Sequence, residues 1–400
     1  MRYLLLSLFL ITVACSNSQN FKVDEIETPS KANASLPNLF TDNTGSVFMS
    51  WVETNDGNST LFYSSLNESN WSEATALQSS DSWFVNWADY PSIIAQNGKA
   101  IATHWLHKKP GSSYSYDVNI STAVKNWETV LTPHKDNTPT EHGFVSMTPL
   151  SDSTFMAVWL DGRNTEGQSH GTDSDLNSAM TLRSAIISNE LELLSEYEMD
   201  ASVCDCCGTS SVLTEDGLIT VYRNRTEGEI RDIYITKFKN EKWSTPEPVH
   251  NDNWEIAACP VNGPSIEAHG ETVAVAWFTA ANDSPKVNLS FSTDYAESFG
   301  EVFQVDDIHA LGRVDLVVLD DKTAVVTWVE RSPDNAAKAF FKLKRIDQKG
   351  NVLQSQIITE VASSRSSGFP QLTKKGSELV AAWTQINEDG SKQIKTAIIQ

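Results

Sequence analysis

The segment that organises the chain is residues 203–264, which begins Val203-Cys204-Asp205-Cys206-Cys207-Gly208-Thr209 and ends Cys259-Pro260-Val261-Asn262-Gly263-Pro264. Between these ends lie a strand-like run that finishes Thr220-Val221-Tyr222 and a group of arginines. Polar and redox-active residues therefore stand at the ends of an alternating β pattern, which is where sheet proteins keep their chemistry. The segment predicts one blade of a β-propeller together with the edge of the next blade.

An aromatic residue that closes a short apolar strand recurs along the chain at intervals of about 51 to 63 residues. The seven copies are Trp51, Trp105, Trp159, Tyr222, Trp277, Trp328 and Trp383. Each copy belongs to a predicted hairpin that is followed by two further alternating runs, with no helical periodicity. The sequence therefore predicts an all-β fold, a seven-bladed β-propeller of four-stranded antiparallel blades.

The seventh repeat ends at Gln400 after only three strands. The alternating run at residues 21–26 precedes the first complete repeat and can supply the missing outer strand. Pairing the two ends of the chain in one blade would hide two sheet edges. We therefore expect a ring that is closed by the N-terminal strand.

The N-terminus reads as an export signal. One basic residue, Arg2, precedes an apolar run that is too short to span a bilayer, and the run stops at Thr12-Val13-Ala14-Cys15. This ending resembles the lipobox of bacterial lipoproteins, which implies cleavage before Cys15 and lipid on its sulfur; an ordinary secretory signal is the alternative. The predicted organisation is a signal peptide (residues 1–14), a tether (15–20) and one propeller domain (21–400). The mature protein is expected in the cell envelope, in the periplasm or at the outer membrane.

Composition limits the partners. The formal net charge is −22, which argues against nucleic acid because phosphates are repelled without a basic face. No second apolar segment is long enough for a membrane, so membrane contact is expected only through the N-terminal lipid. We expect a monomer, and the acidity also serves the solubility of an exported protein.

The run Ser292-Thr293-Asp294-Tyr295-Ala296-Glu297-Ser298-Phe299 resembles the Asp box of sialidases and related propellers. In such a turn the aspartate binds backbone amides and has a structural role. Over the whole mature chain the sequence is similar to sialidase-like (BNR-repeat) proteins. The Cys-Asp-Cys-Cys and Ala-Cys-Pro-Val-Asn-Gly-Pro motifs resemble a bacterial lipoprotein subgroup of these.

Propeller geometry predicts that most arginines of the mature chain gather on one face, where loops between blades emerge. A planar guanidinium matches a carboxylate, sulfate or phosphate, so this face is predicted to bind an anionic glycan or a similar acidic ligand. The candidate ligand-binding residues are Arg163, Arg223, Arg225, Arg231, Arg313, Arg331, Arg365, Asp161, His142, Trp87 and Trp254. Alternatively, the arginines pair with neighbouring acids to tie blades together, and the tryptophans pack between blades.

The resemblance to sialidases implies three arginines on the substrate carboxylate and an aspartate as acid/base; Arg223, Arg313 and Arg365 match the triad, and Asp89 matches the acid. We assign no tyrosine to the nucleophile. Asp89 and Glu141, on adjacent blades, form a carboxylate pair suited to another glycoside hydrolysis. Catalysis and binding without turnover both stay open.

The four cysteines near the centre of the chain allow three interpretations. Cys204 and Cys259 occupy equivalent positions on adjacent blades, and an exported protein favours two disulfides among Cys204, Cys206, Cys207 and Cys259. The second interpretation is a thiolate site for copper or zinc that His107 or His142 completes. The third is a redox-active vicinal pair. The glycan-binding interpretation requires no cofactor.

Overall fold

The computed structural model describes residues 20–111, 113–167 and 176–400, with no account of the Asn177 side chain. The predicted signal peptide, the lipidation site at Cys15 and all but the last residue of the tether lie outside these ranges. Within the described ranges the strands form seven antiparallel sheets. This confirms the predicted all-β, seven-bladed propeller.

The chain enters through β1 (Val23–Ile26) and then builds the blades in order. Blade 1 contains β2 (Ala34–Thr41), β3 (Val47–Asn55), β4 (Asn58–Asn67), β5 (Asn70–Trp71) and β6 (Thr75–Ser80). Blade 2 contains β7 (Ser92–Gln96), β8 (Lys99–Lys108) and β9 (Tyr116–Thr122). Blade 3 contains β10 (His142–Ser151), β11 (Thr154–Asp161), β12 (Met180–Ser188) and β13 (Leu193–Val203).

Blades 4 to 6 repeat this order. Blade 4 contains β14 (Ser210–Thr214), β15 (Gly217–Arg223), β16 (Ile233–Lys239), β17 (Lys242–Trp243) and β18 (Glu247–Pro248). Blade 5 contains β19 (Ser265–His269), β20 (Thr272–Thr279), β21 (Lys286–Ser292) and β22 (Val302–Gln304). Blade 6 contains β23 (Ala310–Val318), β24 (Thr323–Arg331), β25 (Lys338–Asp347) and β26 (Val352–Ala362).

Blade 7 closes the ring. It contains β27 (Gln371–Lys375), β28 (Glu378–Ile386) and β29 (Lys392–Ile399), and β1 supplies its outer strand. Val23 lies opposite Ile399, and Ile26 lies opposite Thr396. The closure predicted from the incomplete last repeat is therefore present.

The helical elements of the described residues are single 3₁₀ turns at Ala123–Lys125, Leu176–Ser178, Ala281–Asp283 and Arg365–Ser367. Within the same ranges, no helix is long and apolar enough to cross a membrane.

The aromatic residues that close the second strand of each blade form the centre of the packing. All seven are at most 3% exposed. In three blades the indole Nε1 donates to an acid two residues later: Trp51 to Glu53, Trp159 to Asp161 and Trp328 to Glu330. A buried indole N–H needs an acceptor, so this Trp-x-acid pattern satisfies the tryptophan where the strand leaves the blade. Asp161, predicted as a ligand-binding residue, therefore accepts the indole N–H of its own strand through Oδ2.

Blade 2 departs from the predicted four strands. Its sheet has three strands, and Leu131 adds one isolated bridge to Ile120. Beyond Leu131 the chain turns inward, because the buried His134 and the carboxylate of Asp136 hydrogen-bond to each other. The residues that would form the outer strand instead build a polar cluster.

The turn that resembles an Asp box has the predicted structural role. The Asp294 carboxylate accepts hydrogen bonds from the backbone N–H and hydroxyl of Ser298 and from the hydroxyl of Ser292. Its side chain thus stabilises the turn between β21 and β22.

Loops between blades and the ends of the second strands lie on one face of the disc, which we call the connector face. The Cys204 N–H, at the end of blade 3, donates to the Arg223 carbonyl, at the end of β15. The face assignment made from repeat spacing holds for these residues.

Candidate functional site

Two connectors that are far apart in sequence lie against each other on the connector face. Gly263 packs so closely on Gly208 that an added Cβ would lie 2.2 Å from the Gly208 carbonyl oxygen. Close approach of this kind requires glycine. The contact brings the connector with Cys204, Cys206 and Cys207 beside the one with Cys259.

The four thiols form one cluster. The Sγ atoms of Cys204, Cys206 and Cys207 lie within 4.8 Å of one another. Cys204 Sγ is 3.4 Å from Cys207 Sγ, and Cys206 also hydrogen-bonds to Cys259. All four are free thiols; Cys204 and Cys207 are buried, whereas Cys259 is exposed. The sulfurs are in reach of one another without being bonded, so the disulfide pairing stays a prediction.

The charges around the cluster favour a thiolate at its centre. The Arg231 guanidinium donates to Cys204 Sγ at 3.5 Å. Although burial opposes ionisation, hydrogen bonds with Cys204 and Cys206 and the charge of Arg223 hold the pKa of Cys207 well below its usual value. Burial raises the pKa of Cys204 to about 11. The pKa of Cys259 is lowered as well, chiefly by its hydrogen bond with Cys206.

A soft metal ion suits this donor set. With Zn–S distances of about 2.3 Å, neighbouring sulfurs of a tetrahedral site are about 3.8 Å apart. Here Cys204 and Cys207 are 3.4 Å apart, and the sulfurs of Cys204, Cys206 and Cys207 all lie within 4.8 Å of one another. Thiolates select Cu(I) or zinc over hard cations. His107 and His142, which were predicted to complete the site, are not part of this cluster: His107 forms a bridge with Trp83, and the His142 ring stacks on His134. The arrangement therefore supports sulfur ligands alone.

A second group of titratable side chains adjoins the thiols. Tyr116 Oη lies 3.2 Å from Asp89 Oδ2 and also hydrogen-bonds to Glu141 Oε1. Burial raises the pKa of Asp89 to about 7 and holds that of Glu141 well above its usual value, and the charge of Cys259 contributes to the latter. The predicted pair Asp89 and Glu141 thus meets at one buried phenol. Sequence analysis missed Tyr116 because it occupies no recurring position of the blade.

Two of the three arginines matched to the sialidase triad are buried on protein acceptors. The Arg223 guanidinium donates to the backbone carbonyls of Arg231, Asn262 and Phe278. Arg313 donates to Ser367 Oγ and to the carbonyls of residues 363, 364 and 368. Both arginines tie neighbouring blades together, in line with the alternative considered from sequence, although through carbonyls rather than acids.

Three further arginines pair with carboxylates. Arg163 forms a two-pronged ion pair with Asp161. Arg225 and Arg231 share the Glu229 carboxylate, and Arg225 Nη1 lies 3.8 Å from Asp205 Oδ1. These contacts fix the connectors around the thiols. The sequence did not mark Glu229 as part of this group.

Arg331 and Arg365 are exposed on the connector face. The Arg365 Cζ lies 5.6 Å from the centroid of the Trp87 ring, and the Arg313 Cζ lies 5.2 Å from it. Trp254, in contrast, is buried with Arg223 over its ring at 4.9 Å. Among the predicted anion-binding residues, the side chains most accessible to a ligand are therefore those of Arg331, Arg365 and Trp87.

Apolar side chains from several connectors pack together at the central cavity. Trp87, Phe144, Val261 and Phe369 belong to one apolar cluster, and the Trp87 and Phe369 rings stack with centroids 5.6 Å apart. A cavity of about 460 Å³ lies along the axis and is lined by inner strands of all seven blades. Phe144 and Phe369 also line this cavity, and the partly buried Cys206 packs against the same apolar cluster.

Comparisons with known proteins show similarity in fold only. No family model matches the chain, and no curated protein matches it. Its fold is similar to that of a protein of unknown function from Dyadobacter fermentans, with a TM-score of 0.51 and 11% identity over 96% of this chain and 98% of the other. It is also similar to the endosialidase of phage phi92, with a TM-score of 0.51 and 11% identity over 95% and 69% of the two chains.

A further similar structure is the Hadza microbial sialidase Hz136, with a TM-score of 0.46 and 12% identity over 90% of this chain and 65% of that one. The chain is a seven-bladed β-propeller whose fold is similar to that of the phage phi92 endosialidase. At such identities the likeness concerns the fold alone, and the functional argument rests on the side chains described above.

Proposed function

We propose that this protein is a metal-binding β-propeller of the cell envelope that holds one thiophilic ion, Cu(I) or Zn²⁺, with Cys204, Cys206, Cys207 and Cys259. The observation that carries the proposal is the contact between thiols from two connectors that are separated by a complete blade. The envelope location rests on the N-terminal sequence. We further propose that the protein acts as a monomer.

The charges and the solvent exposure around the four thiols favour a bound metal ion over a metal-free cluster. Thiolates repel one another in a buried cluster, and a cation relieves that repulsion. Arg231 and Arg223 supply only part of the positive charge that several thiolates need. The exposed Cys259 gives the ion a route to the buried sulfurs. Ion capture would begin at Cys259 and end at Cys207.

The test is the metal content of the full-length protein, purified anaerobically from the envelope and titrated separately with Cu(I) and Zn²⁺ against a chromophoric chelator. We expect one ion per chain, and we expect Cys206→Ser to abolish tight binding of both ions. Cys206 joins Cys259 to Cys204 and Cys207, so the three thiols left in this variant no longer form one compact group. The Cys259→Ser variant distinguishes Cu(I) binding from Zn²⁺ binding. The three remaining thiolates suffice for Cu(I), whereas tetrahedral Zn²⁺ loses one of its four ligands and should bind about tenfold or more weakly.

Wild-type protein that binds neither ion stoichiometrically would contradict the proposal. So would protein that contains two disulfides and no free thiol when it is isolated without oxygen, which would favour the structural disulfides instead. Thr209→Ser, next to the cluster but without a sulfur, serves as the control and should bind like wild type.

A second candidate function, hydrolysis of an anionic glycan, is favoured by the position of Tyr116 between Asp89 and Glu141. A phenol beside a carboxyl group is a nucleophile–base arrangement, and the raised pKa of Asp89, about 7, suits a proton donor. The exposed Arg331 and Arg365 are the arginines open to an acidic sugar.

For this candidate, we expect a release assay on sialylated glycans to show turnover that Tyr116→Phe lowers at least about a hundredfold. Tyr222→Phe is the matched control, because Tyr222 is equally buried and its hydroxyl also bonds to an aspartate, Asp200. Absence of turnover in wild type, or equal loss in both variants, would exclude a catalytic role for Tyr116.

A further inference from the structure

We infer that the protein has a second metal site, for a divalent cation with nitrogen and oxygen ligands, formed by Asp136, His142 and Asp161. The site lies between blades 2 and 3 on the connector face and uses none of the cysteines. The inference goes beyond the proposed function, since it concerns other residues and another class of ion.

The three donor atoms have the spacing of metal ligands. His142 Nε2 lies 3.2 Å from Asp136 Oδ2 and 3.6 Å from Asp161 Oδ1, and all three atoms are within 4.8 Å of one another. Tetrahedral zinc with ligands at about 2.0 to 2.2 Å requires neighbouring donors about 3.3 to 3.6 Å apart. The arrangement leaves one coordination position for water or a further ligand.

The unsatisfied atom at the centre of this group is His142 Nε2. The His142 side chain is fully buried, and Nε2 forms no hydrogen bond despite its two carboxylate neighbours. The other ring nitrogen, Nδ1, lies 3.3 Å from the Tyr116 carbonyl oxygen, which can accept only if Nδ1 carries the proton. In the neutral ring with its proton on Nδ1, the Nε2 lone pair points at two carboxylates, an arrangement that a bound cation makes favourable.

Both carboxylates are held in place from outside. Thr138 donates its backbone N–H and its hydroxyl to Asp136 Oδ1, which leaves Oδ2 towards His134 and His142. Asp161 is fixed by the Trp159 indole and by Arg163. Outer contacts of this kind orient the ligands of protein metal sites.

Two other charged side chains, Asp117 and Arg163, lie near His142 and Asp136. Asp117 Oδ1 lies 3.8 Å from His142 Nδ1, but Asp117 pairs with Lys109 at 3.0 Å. Arg163 Nη2 is 3.9 Å from Asp136 Oδ2 and is engaged by Asp161 and Glu196. Neither group places a donor or a positive charge on His142 Nε2. A proton on Nε2 would pair it with the Asp136 and Asp161 carboxylates, and a metal ion in its place would bind all three groups without any rearrangement of the fold.

The test separates the two sites by removing the cysteines. In a full-length variant with all four clustered cysteines replaced by serine, we expect one Zn²⁺ per chain by equilibrium dialysis and elemental analysis. His142→Gln or Asp136→Asn in that background should abolish the binding. Zn²⁺ should also raise the Tm of the parent variant and leave that of the two substituted variants unchanged.

His104→Gln is the matched control. His104 is also fully buried with an Nε2 that lacks a hydrogen bond, yet no metal-ligand group among the described residues includes it. It should therefore leave Zn²⁺ binding intact. If the cysteine-free variant does not fold, Co²⁺ titration of wild type distinguishes the sites, because sulfur ligands add an intense ultraviolet charge-transfer band and nitrogen and oxygen ligands do not.

A folded cysteine-free variant that binds no Zn²⁺ would overturn the inference and identify the group as an ion-pair cluster around Arg163. Equal binding by the His142→Gln variant and its parent would overturn it as well. Loss of metal at the thiols alone contradicts the proposed function and leaves this site intact.

Discussion

Replacing Arg223 by methionine is expected to lower the free energy of unfolding by about 4 kcal/mol. The guanidinium is 1% exposed and donates to three backbone carbonyls, two of them in blade 5 or in the connector that leads to it. Methionine fills most of the volume but leaves those carbonyls buried without donors. It also removes the cation that lies over the Trp254 ring. Chemical denaturation followed by tryptophan fluorescence measures the change.

The Arg331→Met variant is the control, because it removes an arginine that is exposed to solvent. Arg331 is exposed, and its replacement should change stability by less than about 0.5 kcal/mol. Equal stability of the Arg223→Met variant and wild type would contradict the structural role. It would favour the original interpretation of Arg223 as a ligand-binding residue.

Gly263→Ala is expected to cost about 3 kcal/mol of stability and to disrupt metal binding by the thiols. The added Cβ would lie 2.2 Å from the carbonyl oxygen and 2.8 Å from the nitrogen of Gly208. Both obstacles are backbone atoms, so the two connectors must move apart. That movement separates Cys259 from Cys206. Thermal unfolding and the Cu(I) and Zn²⁺ titrations report the two effects.

Gly208→Ala provides a matched comparison at the same contact. A Cβ at Gly208 would meet nothing within 4 Å, so this variant should keep wild-type stability and metal affinity. Wild-type behaviour of the Gly263→Ala variant would show that the connectors are not packed as described. Equal damage in both variants would argue for a backbone effect instead of the clash.

The fold could be predicted because its signals are local and repeated. An aromatic that ends an apolar strand has the same place in every blade, and the incomplete last repeat indicated where β1 must pair. The approach of Cys204 to Cys259 was predicted for the same reason, since both occupy one position of the repeat. In a repeat fold, residues that occupy equivalent positions of adjacent repeats are neighbours in space.

The partners of individual side chains could not be predicted in this way. The sequence placed Arg223 and Arg313 on the connector face but could not show that unpaired carbonyls of the next blade lie within their reach. Tyr116 meets Asp89 and Glu141 through a contact between adjacent blades at a position that does not repeat. His142 was considered as an alternative to His107 in a thiolate metal site and as a ligand-binding residue, whereas its neighbours in the structure are His134, Asp136 and Asp161.

The chain enters the propeller at the end opposite the thiols. β1 runs antiparallel to β29, and Val23 lies opposite Ile399, at the end of the blade remote from the thiols. The tether that would link the predicted lipid on Cys15 to the propeller therefore joins it at Asn20, beside the start of β1. If that prediction is correct, the thiols lie at the end of the propeller opposite the lipid attachment.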